Sequence, residues 1–151
     1  RPMGRTAAGV RAIRLKDGDE VVAAVRATDE DAAVLTVTEN GYGKRTRIGE
    51  YSVQNRGGQG LKTYQITQKT GEIVGAKKVT GEEDILLVSD DGTIIRMEAG
   101  SISLLGRATQ GVRLMRPAEG AHVVAMARTE REASEEETAE PGESAVEITE
   151  E

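Results

Sequence analysis

The sequence contains no cysteine, no phenylalanine and no tryptophan. The first absence removes disulfides, thiolate metal sites and thiol nucleophiles, and it suits a reducing cytoplasm. The other two leave Tyr42, Tyr51 and Tyr64 as the whole aromatic complement. A core must therefore be built from Val, Ile, Leu, Ala and Met, and stacking platforms for unpaired bases are in short supply. There is no run of about 18 apolar residues and no signal-peptide pattern, so neither a membrane span nor a secretory leader is predicted. No Gly-Lys-Ser/Thr phosphate loop and no dinucleotide fingerprint occur, so nucleotide binding has no support.

Candidate chemistry is equally sparse. The single histidine, His122, precedes Val123-Val124 at a predicted strand start and has no paired nucleophile. It reads as a polar edge position rather than a general base. Asp90-Asp91-Gly92 reads as a hairpin turn rather than a metal site, because Glu39-Asn40-Gly41 holds the same place in an equivalent stretch and no further ligands converge. Glu82-Glu83-Asp84 reads as a solvated loop between strands. No catalytic, cofactor-binding or metal-binding residue is nominated.

What is present is asymmetric. The net charge of −6 hides a division: residues 1–128 hold 19 Lys/Arg against 16 Asp/Glu, a net +3, whereas residues 129–151 hold ten acids and Arg131 alone, a net −9. The last stretch is Glu, Ala, Ser and Thr with Pro141 and Gly142, too polar and too charged to fold alone. The expected organisation is a β body over 1–128 and an acidic, disordered tail over 129–151. The first residue is Arg1 rather than Met, which reads as a processed product or a fragment.

An internal repeat organises the body. Gly4-Arg5-Thr6-Ala7-Ala8-Gly9-Val10-Arg11, Asn55-Arg56-Gly57-Gly58-Gln59-Gly60-Leu61-Lys62 and Gly106-Arg107-Ala108-Thr109-Gln110-Gly111-Val112-Arg113 read alike, with 51 residues between equivalent glycines. Leu35 to Gly41 aligns with Leu86 to Gly92 at the same offset, as do Arg45 with Arg96 and Tyr51 with Ile102. Turn signals divide the first unit into predicted strands at Val10–Leu15, Val21–Arg26, Ala33–Thr38 and Gly43–Ile48. The second unit has them at Leu61–Gln68, Ile73–Val79, Ile85–Ser89 and Thr93–Met97, and a third starts with Val112–Met115 and Val123–Arg128 before stopping halfway. Asn40-Gly41 and Asp91-Gly92 suit tight type I′ hairpins. No long 3.6-residue apolar period appears, so helix is expected to be scarce. Four strands in about 40–50 residues is the size of one β-propeller blade. The predicted fold is all-β, a partial propeller of two and a half blades. Too short to close a ring, it should be completed by blades N-terminal to Arg1 and should expose apolar faces when isolated.

Basic residues recur in this register. Arg5, Arg56 and Arg107 precede the shared glycine of each unit, and Arg11, Lys62 and Arg113 follow it. Equivalent positions lie on equivalent parts of successive blades, so they form a spaced band able to track phosphates. Lys44, Arg45 and Arg47 extend the band, while Gly57, Gly58 and Gly60 would let backbone N–H groups approach phosphate oxygens. Two readings stand: the arginines contact DNA, or they bond carbonyls between blades while the glycines serve turn geometry. A body of only +3 is modest for phosphate tracking. If nucleic acid is bound, the shortage of aromatics favours duplex backbone over single strands or base reading.

Gly4 through Leu15, Thr38 through Thr46 and Gly106 through Val112 closely resemble the C-terminal domain of DNA gyrase A, over roughly residues 1–128, and the acidic end resembles that family's end. The resemblance implies a β-pinwheel of six blades, a propeller variant whose blades exchange strands, with duplex DNA bent around a basic rim. It implies that this wrapping sets the handedness of the DNA crossing that the parent type II topoisomerase resolves to introduce negative supercoils. It also implies partners: double-stranded DNA, the remaining blades and N-terminal domain of gyrase A, and gyrase B in a heterotetramer. ATP and Mg²⁺ would serve other domains, with no cofactor here, and the cleavage tyrosine would lie elsewhere. The family's signature heptapeptide is Gln, Arg, Arg, Gly, Gly, Lys or Arg, Gly. Gln54-Asn55-Arg56-Gly57-Gly58-Gln59-Gly60 matches it at five positions and departs at Asn55 and Gln59, so this resembles a degenerate internal copy. Two alternatives remain: the homologous part of topoisomerase IV, against which the retained Arg-Gly-Gly-x-Gly and the acidic end argue, and a propeller fragment used for protein–protein contact. The tail beside a basic band is expected to compete with DNA intramolecularly, or else merely to solubilise the chain.

Overall fold

The strand with the most continuous apolar and β-branched run, β1 (Ala33–Thr38), has Leu35, Val37, Thr36 and Thr38 all at most 2% exposed, so both of its faces are covered. A strand buried on both faces must be internal to its sheet. In this computed structural model, which describes residues 1–132, β1 is indeed flanked on either side. Most of the predicted acidic tail, from 133 onward, lies outside the described residues.

Two antiparallel sheets make up the described chain. One has the order β3-β1-β2-β6, from β2 (Tyr42–Arg47), β3 (Ile73–Val79) and the short β6 (Val112–Arg113). The other has the order β5-β4-β7, from β4 (Asp84–Ser89), β5 (Ile94–Glu98) and β7 (Val123–Thr129). The registers are equivalent: Ala33 faces Arg47 and Val79, as Asp84 faces Glu98 and Thr129. Each sheet has a register shift at the same place, between Val37 and Thr38 and between Val88 and Ser89. A repeated β fold with almost no helix is what the 51-residue period requires.

The grouping of strands differs from the expected one. Val10–Leu15, Val21–Arg26, Ala33–Thr38 and Gly43–Ile48 do not form one sheet; β1 and β2 instead take β3 on one edge and β6, from the following unit, on the other. A period fixes the spacing of equivalent strands but not the point at which a blade begins. Residues 10–15, 21–26 and 61–68 form no ladder strand; Ile13 makes an isolated bridge to Gly58. Their equivalents β6 and β7 pair with β2 and β4, the second strand of one unit and the first of the next. Val10, Val21 and Val22 are correspondingly exposed.

The hairpins also use a different turn. Val37 faces Gly43, leaving the three-residue loop Glu39-Asn40-Gly41, and Gly41 N–H donates to the Thr38 carbonyl at 3.0 Å. Positive φ occurs at Gly41 (+83°) and, among the described residues, at no non-glycine residue, so this is a type I turn followed by a left-handed glycine rather than a type I′ turn. At Gly41 a second demand is added, since a Cβ there would collide with the Met115 carbonyl. Ser89 to Gly92 repeats the turn.

Between the sheets lies one apolar cluster. Leu35, Val37, Val79, Ile85, Leu87, Ile102, Met115 and Val123 are its main members, with Met97, Leu114 and Met126 packed against it. It is aliphatic, but Tyr42 and Tyr64 are buried outside it, so the interior is not built from Val, Ile, Leu, Ala and Met alone. Glu82-Glu83-Asp84 is not a solvated loop throughout: Asp84 is buried at the start of β4 and accepts from Arg96 Nε at 2.8 Å. Glu83 accepts from Thr80 N (2.8 Å), Thr80 Oγ1 (2.7 Å) and Gly81 N (3.0 Å), closing the turn between the two sheets.

Candidate nucleic-acid interface

The outer edge of the first sheet is β6, where Arg113 faces Tyr42 and Val112 faces Gly43. The loop before it, 106–111, therefore lies on the rim, and by the repeat so do loops 55–60 and 4–9. Each of the two later loops is bonded to the stretch that follows the preceding loop, through equivalent backbone bonds. Gly57 N–H donates to Ala12 O (2.8 Å) and Arg14 N–H to Gly58 O (2.7 Å); one repeat later, Gln65 N–H donates to Thr109 O (3.0 Å). Arg107 Nη1 adds a bond to Lys62 O at 3.1 Å. Loops 55–60 and 106–111 are thereby held in equivalent places.

Arg5, Arg11, Gln54, Arg56, Lys62 and Arg113 are exposed there, and Arg107 is half-buried. Among the described residues, none of the six cations of this series forms an ion pair with a carboxylate. Gln54 is turned to its neighbour, donating to Ser52 Oγ at 2.9 Å. Arg113 donates to the Tyr42 hydroxyl at 2.7 Å and lies 4.7 Å from that ring's centre, so its guanidinium is held in place while staying accessible.

Three nominated cations leave the band. Lys44 is fully buried, and its Nζ donates to Gly106 O (2.7 Å), Arg107 O (2.6 Å), Thr109 O (3.0 Å) and Thr109 Oγ1 (3.1 Å). Burial pushes its pKa down to about 8, opposed by the charge of Glu50. A charge enclosed in this way presents nothing to a phosphate. Arg45 donates from Nε to Ile102 O (2.7 Å) and from Nη2 to Gly100 O (2.9 Å), joining the two sheets. Arg47 is exposed, but it opens on a concavity lined also by Asp29, Glu30, Asp31 and Glu50, a setting that repels an anion.

The glycines divide in the same way. Gly57 turns its N–H inward to Ala12, so that amide is not offered to a phosphate. Gly58 and Gly60 are exposed. In the copy at 111 the glycine is needed for packing, because a Cβ there would run into the Tyr64 hydroxyl and the Gly43 carbonyl.

Sequence reasoning does not single out two further groups. Lys69 lies 5.5 Å from the Tyr42 ring that also holds Arg113; its signal is the Lys-x-Gly of Lys16-Asp17-Gly18 and Lys69-Thr70-Gly71. Arg26, Lys78 (on β3) and Arg128 (on β7) line one concavity. Arg128 Nη1 donates to Lys78 O (3.0 Å) and Lys78 Nζ pairs with Asp29 (2.6 Å), so this series is engaged internally.

With this geometry in hand, the relatives are informative. The family model described as the DNA gyrase C-terminal domain, β-propeller, matches residues 1–28, 32–80 and 83–130. The last two segments are the units that supply β1–β3 and β4–β7. The DNA gyrase A protein of Staphylococcus epidermidis is 51% identical over 133 residues, covering 87% of this chain and 15% of that protein. Its counterpart in Staphylococcus aureus (strain MRSA252) is 49% identical over 140 residues, covering 90% and 16%. The chain thus spans about a sixth of the length of these relatives. A solved DNA gyrase A C-terminal domain superposes with a TM-score of 0.61 at 32% identity, covering 64% of this chain and 33% of that one. The C-terminal domain of a DNA topoisomerase IV superposes at 0.74 with 22% identity, over 81% and 38%, which shows the shared fold alone. Matched through three consecutive segments that carry its strands and its rim loops, the chain belongs to the family of DNA gyrase A C-terminal domains.

Proposed function

We propose that this chain forms part of a surface that binds and wraps duplex DNA without regard to sequence, in support of negative supercoiling by a parent enzyme assembled from gyrase A and gyrase B. One observation supports the reading: the stretches after two successive loops bond in the same way to the next loop, Arg14 to Gly58 and Gln65 to Thr109, and Arg5, Arg11, Arg56, Lys62, Arg107 and Arg113 recur in the register of these loops, all exposed or half-buried. A spaced row of cations on a curved edge neutralises successive phosphates and releases their counterions. The side chains that reach the edge are long and basic, and none is an aromatic platform, which favours a phosphate backbone over unpaired bases. Bending 20–30 base pairs through 40–90° costs on the order of 1–6 kcal/mol, which distributed phosphate contacts offset.

The test is a salt titration of binding to several duplexes of unrelated sequence. Six phosphate contacts give a slope of log K against log salt of about −5, or about a thousandfold weakening from 50 to 200 mM. Arg56→Ala should weaken every duplex alike and reduce the slope by about 0.9. A shallow slope, or a loss confined to one sequence, would refute the reading.

A further inference from the structure

The inward grip on loop 106–110 reaches almost every carbonyl it has. Thr46 Oγ1 donates to Leu105 O at 2.9 Å. Lys44 Nζ takes the carbonyls of Gly106, Arg107 and Thr109 at 2.6–3.0 Å. The Tyr64 hydroxyl, kept as a donor by burial that raises its pKa, takes Gln110 O at 2.6 Å. Lys44 also lies 4.7 Å from the centre of the Tyr64 ring, so the three donors form one buried cluster beneath the loop.

This has a geometric consequence for the other side of the chain. In a trans peptide the C=O and the following N–H point in opposite directions, and no cis bond occurs among the described residues. The carbonyls of Leu105, Gly106, Arg107 and Thr109, drawn down onto Thr46 and Lys44, therefore turn the amides of Gly106, Arg107, Ala108 and Gln110 outward, while Tyr64, on the Gln110 carbonyl, fixes the end of the loop. Gly106, Ala108 and Gln110 are exposed, and none of the four amides meets an acceptor among the described residues. Loop 55–60 shows that the shared register does not dictate this orientation. There the 56–57 peptide turns its N–H inward to Ala12, whereas the equivalent 107–108 peptide turns its carbonyl inward to Lys44. Successive outward amides beside an arginine can cradle an anion, with the Glu50 carboxylate near Gly106 as the charge that opposes it.

We propose that Lys44, with Thr46 and Tyr64, is a positioning residue that holds loop 106–110 with its amides outward, and that these amides, together with Arg107, bind phosphodiester oxygens of duplex DNA. The proposal rests on the duplex-binding reading and assigns a neutral, backbone component to it. Lys44 touches no phosphate; it acts through the loop.

The discriminating experiment is a salt titration of Lys44→Met beside Arg107→Ala, with the wild-type chain binding a duplex of arbitrary sequence. Lys44→Met should weaken binding about tenfold, equivalent to losing one or two hydrogen bonds, with an unchanged salt slope, because neutral amides release no counterions. Arg107→Ala should weaken it and reduce the slope by about 0.9. A Lys44→Met chain that binds like wild type overturns the proposal, as does one whose slope falls like that of Arg107→Ala, which would make Lys44 a direct contact. Either result leaves duplex binding standing; a wild-type chain without salt-steep binding would sink both readings. Tyr64→Phe, which keeps the ring and removes only the hydroxyl, covers the case in which Lys44→Met does not fold. It should weaken binding about threefold at constant slope, and wild-type affinity in this variant counts against the grip. In the ¹⁵N-labelled wild type, the amides of Gly106, Arg107, Ala108 and Gln110 should shift on adding duplex; unmoved resonances would overturn the cradle.

Discussion

Alanine at Gly41 and alanine at Gly92 form a matched pair of perturbations. Both glycines end a three-residue hairpin loop, at φ of +83° and +87°, so both substitutions place an L side chain in the left-handed region at a cost of roughly 1–2 kcal/mol. They differ in what the new Cβ meets. At Gly92 there is nothing within 4 Å, whereas at Gly41 the methyl lands on the Met115 carbonyl oxygen, 2.9 Å from its carbon and 3.2 Å from Pro117 Cδ. Overpacking of this kind typically adds about 1–3 kcal/mol. Relief by movement is opposed, because Gly41 O accepts from Leu114 N (2.8 Å) and Met115 N (3.1 Å), the bonds that seat the exchanged strand. Gly92→Ala should therefore cost about 1–2 kcal/mol and Gly41→Ala about 3–5 kcal/mol. Urea unfolding followed by far-UV circular dichroism measures both. Equal losses would mean that the segment from the following unit is not packed on this hairpin, and the strand-exchanged sheet would be refuted with it.

Three further outcomes can be checked independently. Glu83, partly buried yet bonded by Thr80 and Gly81, is held down to about 2 from the ordinary 4.5. A folded-state value below the unfolded one stabilises above about pH 4.5 and is lost as pH falls through 2, a contribution of at most about 3 kcal/mol before solvent screening reduces it. Glu83→Gln should remove that slope from the pH dependence of Tm, and parallel curves for the two proteins would contradict it. Arg96→Met strands the buried Asp84 carboxylate, leaving Arg131 at 3.8 Å, and should lower Tm by roughly 10 °C, whereas an unchanged Tm would show the pair to be solvated. Truncation after Glu132 removes eight acids and no base while sparing the Arg131–Asp84 contact. It should tighten duplex binding roughly tenfold at low salt and leave it unchanged at high salt, and superimposable titrations would dismiss the tail as a competitor.

The period and several strand positions were legible because they depend on residue type alone: Ala33–Thr38 and Ile73–Val79 coincide with the observed β1 and β3, whereas Val10–Leu15, Val21–Arg26 and Leu61–Gln68 form no ladder strand. Blade phase was not legible, since it depends on which edge of β1 is filled, and nothing local to Val21–Arg26 says that its equivalents pair with the first strand of a unit. The type I turn with its trailing glycine was missed for a related reason. Asn40-Gly41 is compatible with two loops, and the register shift beside Thr38 decides between them.

The misplaced cations carry a more general lesson. Lys44, Arg45 and Lys62 look alike in sequence, each basic and each near a glycine of the repeat. Yet the repeat itself distinguishes them. Lys44 falls on Ile95, which packs against the core, so the position is an interior one and the lysine must find oxygens there. Arg45 falls on Arg96, and both point at fixed acceptors, carbonyls in one unit and Asp84 in the other. Lys62 falls on Arg113 and Arg11, all exposed. Alignment of a charge with an apolar residue marks Lys44 as structural, whereas alignment with another charge does not decide the matter, since Arg45 falls on Arg96 and is still engaged internally.

That sorting bears on how such a rim can hold a bent duplex. Counting every nominated base would give nine cations; the geometry leaves six, and counterion release from six contacts fades about a thousandfold between 50 and 200 mM salt. A wrapped duplex carries an elastic cost of several kcal/mol that does not fade in the same way. An edge relying on side-chain charge alone would release its DNA over a narrow range of ionic strength. Backbone amides held outward by a buried ammonium supply contacts whose strength is far less tied to salt, and they do so without adding a mobile charge to a body whose net is only +3. Lys44 is thus more useful beneath the loop than it would be beside the DNA, because one enclosed cation orients several neutral donors at once.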